Sequence, residues 1–133
     1  MAGDSISFLG WLSNDAIADY YSRCKALIFP GEEDFGIVPL EAQACGKPVI
    51  AYGAGGALET IVAANTHSGL SENLEPTGVF FYDQTEEALL AAIDYFEANI
   101  SKFNVNKIRE NALRFDKSVF KRKIKEYIKG KVR

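Results

Sequence analysis

At 133 residues and a net charge of −3, with 47% apolar and 25% charged residues, the chain has the size and composition of one globular domain with one continuous core. No apolar run approaches the roughly 20 residues a membrane span needs, and residues 1–10 lack the basic flank and apolar stretch of a secretory signal. Two cysteines make no disulfide framework, one histidine makes no metal site, and the acidic body does not suit a nucleic-acid reader.

Short apolar runs alternate with helical stretches, which predicts βα units and a parallel sheet. Ser5–Leu9 reads as a strand. Ser13 is a good helix N-cap, and Asp15 suits the first turn. That helix runs to about Arg23, with Ile17, Tyr20, Tyr21 and Cys24 on its inner side. Ala26–Phe29 is apolar throughout, as expected of a strand covered on both faces. Cys24 and Cys45 sit among apolar residues, where a small buried thiol is the ordinary reading.

Gly36–Cys45 predicts a helix stopped by Gly46 and Pro48. Pro39 is tolerated only in a first turn, which fixes the start between Gly36 and Val38. Val49–Tyr52 is the next strand, and Gly53–Gly56 is a glycine-rich turn into a short helix over 58–63. Residues 65–78 form a polar loop containing His67, followed by a strand at Val79–Tyr82. Thr85–Phe96 is amphipathic, with Glu86 and Glu87 in its first turn. Helices at 104–115 and 118–129 end the chain. The expected organisation is a single, partial domain over 1–133, with an α/β core at 1–97 and C-terminal helices at 104–133.

The charge is unevenly placed. Residues 117–133 hold eight Lys or Arg and one Glu, a charge of +7, which leaves −10 on the first 116. The last helix is therefore basic and amphipathic, with Phe120, Ile124, Tyr127 and Ile128 on one side. It is either a solvated or self-associating helix or a peripheral contact with anionic membrane. With no signal or span read in the sequence, the expected location is the cytoplasm or the inner membrane face.

The run from Phe29 to Ala51, FPGEEDFGIVPLEAQACGKPVIA, carries the chemistry. A helix start has unpaired amides and favours negative charge, and a glycine there lets a phosphate oxygen approach the backbone. In a parallel sheet this turn lies at the carboxyl end of the strand, where ligands bind. Gly36, Ile37 and Val38 are thus candidates for diphosphate contact through their N–H groups. Carboxylates accept hydrogen bonds from sugar hydroxyls, which suits Glu33 before the helix and Glu41 about 7.5 Å along it from Gly36. The same acids also fit a plainer role, stabilising the helix dipole or standing in solvent. Gly55 and Gly56, with Glu59, form either a tight βα connection or a second ligand contact.

The segment resembles the signature of the retaining glycosyltransferases with the two-domain GT-B fold. Their pattern is a Glu, seven residues and a second Glu within an FG-x-x-x-x-EA-x-A-x-G-x-PV run. Glu33 and Glu41 match the acids; Phe35, Gly36, Ala42, Ala44, Gly46, Pro48 and Val49 fill the rest. The flanks FLGWLS at 8–13 and GGALET at 55–60 match as well. The resemblance implies a Rossmann-like parallel sheet flanked by helices, the C-terminal, donor-binding half of such a fold.

The resemblance also implies that Glu33 is the catalytic residue at the transferred sugar and that Glu41 holds the nucleotide ribose. Phe35, Gly36, Ile37 and Val38 would line the diphosphate, with Gly55 and Gly56 as secondary donor contacts. The substrate would be a nucleoside-diphosphate sugar carrying a hexose such as mannose or glucose, with a glycan or lipid-linked acceptor, as in polysaccharide biosynthesis. Neither a metal nor another cofactor is expected. The family's opening strand–helix unit, with its Arg and Lys for the diphosphate, and its N-terminal domain are not found in these residues, and Lys47, Arg23 and Lys25 are misplaced to substitute. An N-terminally truncated donor domain follows, inactive alone and completed by a partner chain or self-association. The alternative is a non-catalytic nucleotide-binding or assembly module descended from such an enzyme.

Overall fold

The computed structural model of the chain describes residues 6–32, 37–64 and 75–115; the predicted loop residues 65–74, including His67, and the predicted helix at 118–129 lie outside them. The elements run α1 (Asn14–Arg23), β1 (Leu27–Phe29), α2 (Ile37–Ala44), β2 (Val49–Tyr52), α3 (Ala57–Thr60), β3 (Gly78–Phe81), α4 (Glu86–Ala98), a 3-10 turn (Ile100–Lys102) and α5 (Val105–Leu113). The strands form one parallel sheet in the order β1-β2-β3, pairing Leu27 with Val49 and Val49 with Gly78.

Side-chain alternation along the strands divides the core in two. Val49, Ala51 and Phe80 point to the face covered by α2 and α3, where Ala42, Ala57 and Ile61 are buried. Ile50, Val79 and Phe81 point to the other face and meet Ala92 and Phe96 of α4. The Phe96 ring lies 5.3 Å from that of Phe103, closing the far end of α4. Helix α5 packs outside α2, so the layers run α5, α2 and α3, sheet, α4.

Helix α1 starts after the expected cap Ser13, and α4 and α5 are capped in the same way by Thr85 and Asn104. The side-chain oxygens of Ser13, Thr85 and Asn104 accept from the amides of Ala16, Ala88 and Lys107 at 3.2, 3.2 and 3.1 Å. Helix α2 ends in a Schellman turn: the Gly46 amide donates to Gln43 O at 2.8 Å and the Lys47 amide to Ala42 O at 3.0 Å. Gly46 has φ +80°, which favours glycine, and an added Cβ would stand 2.6 Å from Val105 Cγ1.

Several expectations need correction. Residues 6–9 of the anticipated first strand have no regular structure, and Ile6, Phe8 and Leu9 are exposed. Apolar, β-prone residues become a strand only where a neighbour supplies a ladder, and β1 gives them none. Ile28 is exposed because α4 covers β2 and β3 and leaves that face of β1 open. Tyr20 is exposed and carries the Arg23 guanidinium over its ring at 5.0 Å, whereas Ile17, Tyr21 and Cys24 are half-buried as expected. Cys24 and Cys45 are half-buried residues just beyond α1 and α2, rather than core thiols inside them. Boundaries move by one to three residues: β1 starts at Leu27, α3 covers Ala57–Thr60 and β3 covers Gly78–Phe81.

Candidate functional site

Because the strands are parallel, Phe29, Tyr52 and Phe81 end at one edge of the sheet, and the turns that follow gather there. After β1 come Pro30, Gly31 and Glu32, all exposed. After β2 the chain turns through Gly53, whose amide donates to Phe81 O at 2.8 Å, and then Gly55, where φ is +61°. After β3 the side chain of Gln84 reaches across the sheet and donates to Pro30 O at 3.2 Å, tying the first and third turns together.

Helix α2 opens beyond this edge at Ile37, inside the interval set by Pro39. Pro39 occupies the first turn, where its missing N–H costs no intrahelical bond. Pro39, Leu40, Ala42 and Gln43 are buried against the sheet and α5, while Glu41 faces outward. Glu41 stands four residues into the helix, about 6 Å from its start. Water reaches this residue on its open side, yet partial burial pushes its carboxyl above the usual value of 4.5. Among the described residues no Lys or Arg forms a salt bridge with it. It acts instead on the half-buried Tyr21 of α1. Burial first, then the negative field of Glu41, push the Tyr21 hydroxyl up to about 12.

The glycine turn is set by local bonds. The amides of Leu58 and Glu59 donate to the carbonyls of Gly55 and Gly56 at 3.2 and 3.1 Å. Gly55 is exposed and Gly56 is buried. Of the residues singled out in the sequence, Val38, Glu41, Gly55 and Gly56 are described, on the segments that follow β1 and β2. Glu33, Phe35 and Gly36 lie outside the described residues, and Ile37 is placed only as the first residue of α2. Among the described residues no cluster of three or more His, Cys, Asp or Glu could hold a metal ion, and no helix is long and apolar enough to cross a membrane.

Sequence reasoning missed the polar cluster behind α2. Gln43, Thr60 and Asn111 are buried, and their amide and hydroxyl groups bond one another and nearby carbonyls. The usable signal was Gln43 itself, a carboxamide between the small residues Ala42 and Ala44 on the side of α2 that must meet the core.

The profile of the family described as glycosyl transferases group 1 matches residues 1–114. Over 83 residues, 60% of this chain and 16% of the relative, the sequence is 42% identical to the alpha-1,3/1,6-mannosyltransferase ALG2 of Kluyveromyces lactis. The fold matches a sucrose-phosphate synthase from Thermosynechococcus elongatus with a TM-score of 0.70 at 28% identity, over 96% of this chain and 30% of that one. It also matches Anabaena HepE in complex with UDP, with a TM-score of 0.53 at 26% identity, over 84% of this chain and 29% of that one. The architecture is thus the Rossmann-like α/β sheet expected of the C-terminal half of a GT-B fold. The chain belongs to the glycosyl transferases group 1 family. The matched segments span less than a third of each of these three proteins.

Proposed function

We propose that this chain is the donor-binding part of a retaining glycosyltransferase, taking a nucleoside-diphosphate hexose such as GDP-mannose or a UDP- or ADP-glucose. The hexose passes to a glycan or lipid-linked acceptor. In this reading Glu41 accepts hydrogen bonds from the two ribose hydroxyls, and Glu33 meets the transferred sugar. Phe35 and the backbone of Gly36, Ile37 and Val38 hold the diphosphate, and Gly55 and Gly56 border it from the neighbouring turn. Amide dipoles at the start of α2 would stabilise the charge that develops on the leaving diphosphate, a task that needs no metal ion.

The observation that carries this reading is the state of Glu41. A carboxylate that is partly stripped of water, with no cationic partner among the described residues, costs stability where it stands. Its place in the second turn of a helix opening at the ligand edge of a parallel sheet offers a use for that cost. The mannosyltransferase relative and the UDP-bound HepE structure support the same substrate class.

A thermal-shift series with UDP-glucose, GDP-mannose and ADP-glucose tests it. At least one is expected to stabilise the chain, by about 2.7 kcal/mol at a concentration near 100 times its Kd. The shift should vanish in Glu41→Ala. An equal shift in Glu41→Ala, or none with any donor, would overturn the reading.

A further inference from the structure

Behind the exposed side of α2, two carboxamides form a closed relay. The Gln43 amide nitrogen donates both its hydrogens, to Pro39 O at 3.2 Å and to Thr60 O at 3.0 Å. The Asn111 amide nitrogen donates to Gln43 Oε1 at 2.5 Å and again to Thr60 O at 2.8 Å. The Thr60 hydroxyl donates to Gly56 O at 3.2 Å, and Arg114 Nε closes the chain on Asn111 Oδ1 at 2.6 Å. Among the described residues no buried side-chain polar atom is left without a partner.

The ends of this relay are informative. Pro39 is in the first turn of α2, and Gly56 is the last residue of the glycine turn before α3. The cluster thus joins the two segments that open at the carboxyl edge of the sheet, and it ties both to α5, whose residue 111 lies 68 positions from Gln43. Apolar packing would fill this space equally well but would leave the two segments free to slide. Directional bonds fix their distance and rotation.

We propose that Gln43, Thr60 and Asn111 are positioning residues of the donor site, and that α5 acts on donor affinity through them. This rests on the donor-binding reading above. The relay sets where the first-turn amides of α2 and the backbone at Gly56 stand relative to each other. A donor that touches both segments then binds a preformed surface, and the ordering cost falls on folding rather than on binding.

The test separates packing from positioning. Gln43→Met, Asn111→Leu and the double variant are compared for melting temperature and for affinity to UDP, GDP and ADP by calorimetry, at a temperature where every variant is folded. Each single variant should melt lower, because it strands a buried polar partner. The double variant should regain only the part of that loss due to the Gln43–Asn111 bond, since Thr60 O loses both its side-chain donors and Arg114 Nε its acceptor. Its nucleotide affinity should nonetheless stay on the order of tenfold to a hundredfold weaker. Thr60→Val keeps the shape and removes only the bond to Gly56, so it supplies a milder variant, expected to bind about two- to tenfold more weakly. Wild-type affinity in the folded double variant and in Thr60→Val would overturn the positioning role while leaving the donor reading intact. If the wild-type chain binds none of the three nucleotides, the donor reading fails and the positioning role falls with it.

Discussion

The two sides of α2 differ in how their polar groups are settled. On the inner side, Gln43 is wholly buried and every hydrogen it can donate has an acceptor within the protein. On the outer side, Glu41 is held where burial raises its pKa, with no cation beside it among the described residues. One helix, two residues apart, carries a polar group whose hydration has been replaced and one whose hydration has been reduced without replacement. A completed group serves the fold. An uncompleted one costs stability, and a hydroxyl-bearing ligand could supply its missing partners.

That contrast can be broken first at its completed side. Gln43→Ala removes the centre of the relay, opens a void against Thr60 and leaves one Asn111 hydrogen without an acceptor. We expect a loss of about 2–4 kcal/mol in a urea titration. A loss under about 0.5 kcal/mol would mean that the relay is not a folding contact.

Gly46 comes next, since it ends α2 and seats the helix against α5. In Gly46→Ala the left-handed backbone is strained and the new methyl presses on Val105 and Arg109. A loss of about 1–3 kcal/mol is expected by the same titration. A neutral effect would contradict the close seating of α5 on α2.

The smallest effect, with the opposite sign, lies on the outer side. Because the folded-state pKa of Glu41 is raised, the folded chain holds that proton more tightly than the unfolded chain does. The contribution of Glu41 to stability is therefore greatest below the ordinary value of 4.5 and falls as pH climbs through the raised value. Glu41→Gln should raise the melting temperature at pH 7, by less than about 1 kcal/mol in stability because water still reaches the group. The gain should fade below pH 4.5. In the same way Tyr21→Phe should flatten the loss of stability between pH 10 and about 12, where the raised hydroxyl of Tyr21 titrates. Glu41→Gln should also lower that hydroxyl toward 10, since the field of Glu41 helps to raise it.

Much of this fold could be read in the sequence, for local reasons. Ser13, Thr85 and Asn104 cap their helices through their own neighbours, and Pro39 and Gly46 bracket α2 by backbone chemistry alone. The apolar runs at 49–52 and 79–81 are strands because helices cover both their faces. The misread segments depend on neighbours that a single stretch cannot reveal. Residues 6–9 are as strand-like in composition as Leu27–Phe29 but have no ladder to join. Tyr20 differs from Tyr21 only in which way α1 turns it. The Gln43–Asn111 pair spans 68 residues, and nothing in either local stretch announces the other. For the candidate site, the position of Glu41 on α2 and of Gly55 before α3 followed from spacing. Glu33, Phe35 and Gly36 lie outside the described residues, so their part rests on the family pattern.

The central claim is that Glu41 grips the ribose of a nucleotide, and ribose chemistry tests it most directly. Calorimetry would compare UDP, GDP and ADP with their 2′,3′-dideoxy counterparts on the wild-type chain and on Glu41→Gln. A charged hydrogen-bonding pair is worth about 1.5–3 kcal/mol, so the wild type should prefer one ribonucleotide over its dideoxy form by roughly tenfold or more, and Glu41→Gln should lose most of that preference. A preference that survives the substitution unchanged, or no preference in the wild type, would contradict the account.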